Sequence, residues 1–299
     1  MELRVLHSFL TLVREKSITG AANALHLSQP ALSKQLKQLE DELGVVLFLR
    51  GNREIELTDE GRYLANRGQE ILELVDKTLN NLSSEESVTG TITIGGGETE
   101  AMSIIGKAVK KMKQQHPDVT IHLYSGNGDA VSEMLDNGLL DFGLVIDPVE
   151  KQRYDYLKLN EINQWGLMVR EDHPLAKQQQ ITADDLQDIP LLIPDQTLVD
   201  NRIAEWAGKS LAHYQLVGTY NLLYNASLMV KEGLASALCI DGIINTSGST
   251  LAFIPLEPPL ISQLNIIWRK DHLLSKAAAV FLKNLTSVIE GPLAADSTR

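Results

Sequence analysis

The sequence predicts a mixed α/β chain in two parts: a small helical module with a hairpin in front, and a larger alternating unit behind. Three observations carry this. Residues 3–43 place apolar residues at helical spacing, and residues 45–57 switch to the shorter period of strands. Residues 59–84 are one charged stretch with a single apolar seam. From residue 88 onward, strand-like and helix-like segments alternate, the pattern of a parallel sheet with crossover helices. With 299 residues, 43% of them hydrophobic and 22% charged, the chain has the size of two or three compact units and an ordinary globular composition.

In the front module, Leu6, Phe9, Leu10 and Val13 share one face of a first helix over residues 3–16. A second runs from about Ile18 to His26, with Ala21, Ala22 and Leu25 inward, and breaks at Leu27-Ser28. Ser28 suits an N-cap and Pro30 suits the first turn of a third helix, Gln29 to Leu43. Leu32, Leu36, Leu39 and Leu43 form its buried stripe; Pro30, Lys34, Lys37 and Asp41 lie opposite, with Ser33 on the flank. The exposed start therefore offers Gln29, Ser33, Lys34 and Lys37, whose amide, hydroxyl and ammonium groups can meet base edges or phosphates. Taken alone, this face also fits an ordinary solvated helix. Val45–Leu49 and Glu54–Leu57 then read as two strands around Arg50-Gly51-Asn52-Arg53. That is a wing with Arg50 and Arg53 at its tip, able to reach phosphate or a minor groove.

Thr58-Asp59-Glu60 caps the next helix, residues 59–84, which at about 1.5 Å per residue spans roughly 40 Å. Leu64, Ile71, Val75, Leu79 and Leu82 repeat along it at near-heptad spacing. A second copy of the chain is the simplest cover for that seam, since two half-sites on double-stranded DNA require two copies; packing on its own chain is the alternative.

The formal net charge of -12 argues against nucleic acid when taken whole, but residues 1–58 balance seven Lys/Arg against seven Asp/Glu. All the net acidity lies in residues 59–299, so the front module is not repelled by phosphate. A single cysteine, Cys239, excludes an intramolecular disulfide and suits a reducing cytoplasm. The start of the chain does not read as a signal peptide, and no run of about eighteen apolar residues predicts a membrane span.

In the larger unit, Thr91–Ile94 is a strand ending at three glycines, followed by a helix from about Glu100 to His116. Strand Val119–Tyr124, helix Asn127–Asn137 and strand Asp141–Ile146 complete a β-α-β-α-β order. A second lobe, about Asn163 to Gln263, holds strands near Gly166–Val169, Leu191–Ile193, Gln215–Gly218 and Ala237–Ile240, with helices near Val199–Ser210 and Tyr224–Glu232. Strand Leu264–Trp268 and helix Ser275–Ile289 return to the first lobe. Two crossings make a hinge, and a ligand is expected at the carboxyl ends of the strands. The candidate contacts are Gly97, Glu98, Thr99, Gly126, Asn127 and Asp147 from the first lobe, and Gln196, Thr197, Asn221 and Tyr224 from the second. Helix starts near Thr99 and Asn127 could hold a carboxylate or phosphate. Against this, Glu98, Glu100 and Asp147 leave open a neutral, amine-bearing or metal-bridged ligand. The two glutamates equally suit the first turn of a helix.

The glycines at 95–97 lack the G-x-G-x-x-G spacing of a dinucleotide site, no G-x-S-x-G elbow occurs, and the seven histidines have no metal-ligand spacing with cysteine. Cys239 follows Leu238 in an apolar strand and reads as a packed core residue rather than a redox sensor. No catalytic residue, cofactor or metal is expected.

The run Ala21-Ala22-Asn23-Ala24-Leu25-His26-Leu27-Ser28-Gln29-Pro30-Ala31-Leu32-Ser33-Lys34-Gln35-Leu36-Lys37-Gln38-Leu39-Glu40 resembles the signature of LysR-type transcription regulators. Leu43-Gly44-Val45-Val46-Leu47-Phe48 and Leu57-Thr58-Asp59-Glu60-Gly61 continue it. The resemblance extends more weakly through Gly138-Leu139-Leu140-Asp141-Phe142-Gly143-Leu144, His173-Pro174-Leu175 and Val230-Lys231-Glu232-Gly233-Leu234-Ala235-Ser236-Ala237-Leu238. It implies a winged helix-turn-helix over 1–58, a linker and dimerisation helix over 59–87, and an effector-binding domain over 88–299 with the periplasmic-binding-protein fold. Its lobes would be 88–162 with 264–299, and 163–263. It also implies DNA contacts at Gln29, Pro30, Ser33, Lys34 and Lys37, with Arg53 in the wing. Many members carry arginine where Lys34 and Lys37 stand, and a small hydroxyl residue where Gly97 stands. Lysine lacks the planar fork for bidentate guanine reading. The implied protein is a bacterial, cytoplasmic regulator bound to DNA and a small-molecule effector, assembled as a dimer or a tetramer of two dimers, with RNA polymerase a further candidate partner. The alternative is a cytosolic small-molecule-binding protein or enzyme on the same two-lobed fold, which would not need the module at 1–58.

Overall fold

The computed structural model describes residues 1–50, 55–82, 88–147, 149–150, 152–196, 201–270 and 272–291, without the side chains of Arg50, Asn80, Asn81, Leu82 and Ile162. The chain divides into two compact units, Met1–Ser84 and Glu85–Arg299.

The first unit holds α1 (Leu3–Glu15), α2 (Ile18–Ala24), α3 (Gln29–Leu43), a two-stranded hairpin of β1 (Phe48–Arg50) and β2 (Ile55–Leu57), and α4 (Asp59–Leu82). Helices α2 and α3 each begin on a serine. The Ser17 hydroxyl accepts from the Gly20 N–H at 3.0 Å and Ser28 from Ala31 at 3.3 Å, each satisfying an amide of the first turn. Phe9, Leu12, Ala21, Ala22, Leu32, Leu36, Leu39, Leu47 and Phe48 close one core. Two expectations fail here. Leu43 is 40% exposed, not part of the buried stripe, and the strand expected from Val45 begins only at Phe48. The cause is Gly44, left-handed at φ 71°, which ends α3. The Gly44 and Val45 N–H groups both return to the Glu40 carbonyl (2.8 and 3.3 Å), so Val45 and Val46 are spent on the turn and stay exposed. The Glu40 carboxylate accepts from Leu47 N–H at 2.8 Å and brings the chain back to the core.

The second unit is built on one continuous run of strands: β3 (Gly90–Gly96), β4 (Val119–Ser125), β5 (Phe142–Ile146), β6 (Tyr154–Arg170), β7 (Pro190–Pro194), β8 (Gln215–Tyr220), β9 (Ser236–Ile240), β10 (Leu251–Pro255) and β11 (Ile261–Arg269). Their order is β4-β3-β5-β11-β6-β9-β7-β8, with β10 on β6. In the first lobe β3 runs parallel to β4 and β5, and β11 is antiparallel between β5 and β6. In the second, β7 runs parallel to β8 and β9, and β6 is antiparallel to β9 and β10. Helices α5 (Met102–Gln115) and α9 (Lys276–Glu290) cover one face of the first lobe around Phe142 and Phe281, whose ring centroids are 5.0 Å apart. Helix α6 (Gly128–Asp136) packs Val131 and Leu135 on the other. In the second lobe, Ile203 of α7 (Arg202–Ala207) and Leu223, Ala226 and Val230 of α8 (Leu223–Lys231) join separate core clusters.

Two strands were not expected from sequence: the first half of β6 and all of β10. The helix expected from Glu100 begins at Met102, because Glu100 and Ala101 lie in a turn closed by Met102 and Ser103 N–H onto the Thr99 and Glu100 carbonyls.

Candidate functional site

Helix α3 presents the polar start that the sequence suggests. Gln29, Pro30, Lys34 and Lys37 are exposed and Ser33 is half-buried on their flank. Ser28 is exposed too, but its hydroxyl oxygen is engaged in capping. Glu40, next along the helix, has turned back onto Leu47, which removes one acid from the outer surface. The hairpin pairs Phe48 with Leu57 and Arg50 with Ile55, and its second strand is tied to the end of α1 by Ile55 N–H donating to the Lys16 carbonyl (3.1 Å). The Arg50 side chain and Arg53 lie outside the described residues.

In the second unit, the carboxyl ends of the parallel strands of both lobes converge. Gly97, Glu98 and Thr99 follow β3, Gly126 and Asn127 follow β4, and Asp147 follows β5. Facing them, Gln196 follows β7, Asn221 and Tyr224 follow β8, and Asp241 and Gly242 follow β9. Thr197 lies outside the described residues. The lobes touch across this cleft. The Glu98 carboxylate accepts from Tyr224 N–H at 3.2 Å. A Cβ placed on Gly128 would stand 2.7 Å from the Gln196 amide, and one on Gly242 would stand 2.8 Å from a Glu100 carboxylate oxygen. Both glutamates thus reach the opposite lobe, and no side chain caps α5. Asn127 caps α6, its Oδ1 accepting from Ala130 N–H at 3.1 Å, and Asn221 accepts from Leu222 N–H at 2.9 Å.

The cleft floor is a polar patch that sequence reading missed. Asn163, Ser262 and Asn265 are buried at 7%, 1% and 1% exposure on β6 and β11. The Thr99 hydroxyl donates to Asn163 Oδ1 at 3.1 Å, and Asn265 Nδ2 donates to the Asp147 carboxylate at 2.8 Å. Trp165 Nε1 donates to the Ser262 hydroxyl at 2.7 Å. Arg202, from α7, donates to the same hydroxyl and to the Asp147 carbonyl (2.6 Å), linking the second lobe to the first. Asn163 Nδ2 has no partner, though a buried amide donor ordinarily finds one. The one signal available beforehand is the polar residue at an inward position of a strand.

Gly97 is open: a Cβ there would meet nothing nearer than the Gly126 carbonyl at 3.8 Å. Gly97→Ser should therefore fold as the parent does, with a stability change within about 0.5 kcal/mol. A thermal melt checks this; a fall of many degrees would show that the position has no room for the hydroxyl. Cys239 is fully buried and its thiol is pushed far up by burial first and by Asp241 second, which suppresses the reactive thiolate.

A family model described as the LysR substrate binding domain matches residues 85–289, and one described as a bacterial regulatory helix-turn-helix protein of the lysR family matches residues 3–62. The chain belongs to the LysR family. Relatives include the uncharacterized HTH-type transcriptional regulator YwbI of Bacillus subtilis (strain 168), 31% identical over 296 residues, covering 98% of each chain. BsdA of the same organism, also an HTH-type transcriptional regulator, is 27% identical over 299 residues, 94% of this chain and 99% of its own. Among solved structures, CbnR, a LysR family transcriptional regulator, superposes with TM-score 0.75 at 20% identity, covering 97% of this chain and 100% of that one. The protein is thus a LysR-family DNA-binding transcription regulator with a substrate-binding domain, and its relatives are named regulators rather than enzymes. Among the described residues no helix is long and apolar enough to cross a membrane.

Proposed function

We propose that this LysR regulator reads DNA with α3 and the hairpin of its first unit and responds to a small molecule held between the lobes of its second. The observation that carries the reading is the facing of six strand ends, three from each lobe, over a polar floor. Residues 1–58 are the DNA-binding module, 59–87 the linker and 88–299 the effector domain. Gln29, Pro30, Ser33, Lys34 and Lys37 enter the major groove, Ser28 holds the helix start, and Arg50 and Arg53 act from the wing. CbnR has been solved in full length with its target DNA, which supports the same use of the fold here.

The working unit is a dimer in the cytoplasm, or a tetramer of two dimers. On α4, Ile71, Leu74 and Leu79 are 37%, 43% and 61% exposed. A concavity of about 940 Å³ between α1 and α4, lined by Leu10, Val13, Ala65 and Leu72 among others, adds apolar surface beside them. A second copy covers such a seam. Effector binding then shifts the balance between two arrangements of the lobes, which requires different affinity for each, and so alters how the paired helices meet DNA and RNA polymerase.

Selection from a random DNA pool, at stated salt, tests the reading: a partly palindromic site with half-sites about one helical turn apart is expected. Ser33→Ala and Lys34→Ala should each weaken binding to that site by about tenfold or more with the fold unchanged. Unchanged affinity in both variants would remove α3 as the reading helix.

A further inference from the structure

The cleft carries an excess of acid. Glu98 and Glu100 project from the first lobe to the second, Asp147 stands at the end of β5, and Asp195 and Asp241 follow β7 and β9. One base, Arg202, stands with them, and its guanidinium is engaged by the Ser262 hydroxyl and the Asp147 carbonyl. Among the described residues, none of the five acids is joined to a base by an ion pair. Like charges gathered in a cleft repel one another and focus a negative potential on whatever enters. The second observation is independent of charge. Asn163, 93% buried and bonded through Oδ1 to the Thr99 hydroxyl of the cleft loop, keeps an unpaired N–H donor at the floor. An unmade hydrogen bond in such a place costs stability unless a guest completes it.

We infer that the effector is a small polar cation, an amine or guanidine that also bears a hydrogen-bond acceptor such as an amide or ester carbonyl. The inference rests on the cleft being the effector site. The cationic group lies among Glu98, Glu100 and the β9 end with Asp241, and the acceptor takes the Asn163 N–H. No three carboxylate, imidazole or thiol groups converge on one point among the described residues, so the acids are spread as an organic cation needs, not gathered as a bare metal ion needs. An anionic effector would have to displace Arg202 from the Ser262 hydroxyl and the Asp147 carbonyl and enter a cleft rimmed by acids.

The test uses the full-length protein. A bacterial metabolite extract is split by ion exchange at neutral pH into cationic, neutral and anionic fractions, and each is added in a thermal-shift assay, since a ligand of the folded state raises Tm. The cationic fraction should raise Tm, and the purified active compound should bind the double variant Glu98→Gln, Glu100→Gln at least about tenfold more weakly. Glutamine keeps the length of each side chain and, at position 98, an oxygen for the Tyr224 N–H. A rise confined to the anionic or neutral fraction, with binding kept or strengthened in the double variant, overturns the charge class and leaves the cleft as the site. A cationic ligand unaffected by the double variant overturns its placement. No rise with any fraction overturns the effector reading itself.

Discussion

Gly61→Ala is expected to destabilise the first unit by roughly 3 kcal/mol, the upper range for overpacking. Gly61 opens α4 directly against the backbone of Leu47: a Cβ there would stand 1.9 Å from the Leu47 carbonyl oxygen and 2.9 Å from its carbon. That oxygen also accepts the Thr58 N–H (3.1 Å), and Gly61 N–H is capped by the Thr58 hydroxyl (3.0 Å), so the junction has no slack. Leu47 is itself core, at 1% exposure, and cannot retreat without opening the packing that holds α3. Calorimetry of the full chain should show the transition of the first unit falling by more than about 10 °C, with that of the second unit unmoved. Gly106→Ala is the control. Gly106 lies within α5 with nothing inside 4 Å of a new Cβ. There the ordinary helical preference should prevail, with a gain of roughly 0.5–1 kcal/mol. The same substitution should thus have opposite signs at two helical sites. A gain at both would show that α4 does not seat on Leu47.

Asn163→Leu should stabilise the ligand-free protein and abolish its response to the effector. The leucine is close in size and removes a buried donor whose desolvation costs about 1–3 kcal/mol, at the loss of one hydrogen bond from Thr99 worth about 1 kcal/mol. The net expectation is a Tm higher by a few degrees without ligand and no further rise with it. Paired melts with and without the active metabolite read both halves. A variant that still responds fully would take Asn163 out of the site; a lower ligand-free Tm would mean that the amide is already satisfied.

Much of this molecule was legible because its elements obey simple periods. Helix α3 could be placed from Ser28, Pro30 and the leucine stripe, since cap, first turn and buried face are all written locally. The seating of α4 was foreshadowed by Thr58, but not the reason for Gly61, which depends on where Leu47 comes to lie. Val45 and Val46 have the apolar character of a strand, but the chain needs those residues to leave a helix. The first half of β6 was hidden for a different reason. Asn163 occupies an inward position where a core strand would carry an aliphatic side chain, and the polar residue breaks the alternation. Leu159 and Tyr154 on the same half pack into cores, whereas Asn163 bonds the Thr99 loop of the cleft, so the residue that interrupts the pattern is the one that marks the site. Strand ends following β3, β4, β5, β7 and β8 could be assigned as candidate contacts from topology alone. Arg202 and Gly242 could not, because their relation to Asp147 and Glu100 is made only when the lobes come together.

The single strand β6 runs through both lobes, pairing with β11 as far as Gln164 and then, from Trp165 and Gly166, with β9 and β10. A backbone held by ladders on either side of that exchange of partners resists folding over like a clamshell. It can, however, rotate gradually about its own axis, as strands do in any twisted sheet. A molecule seated above Asn163 would therefore be felt as torque along β6, and the message leaving the domain would be an angle of turn between its lobes, not a width of opening.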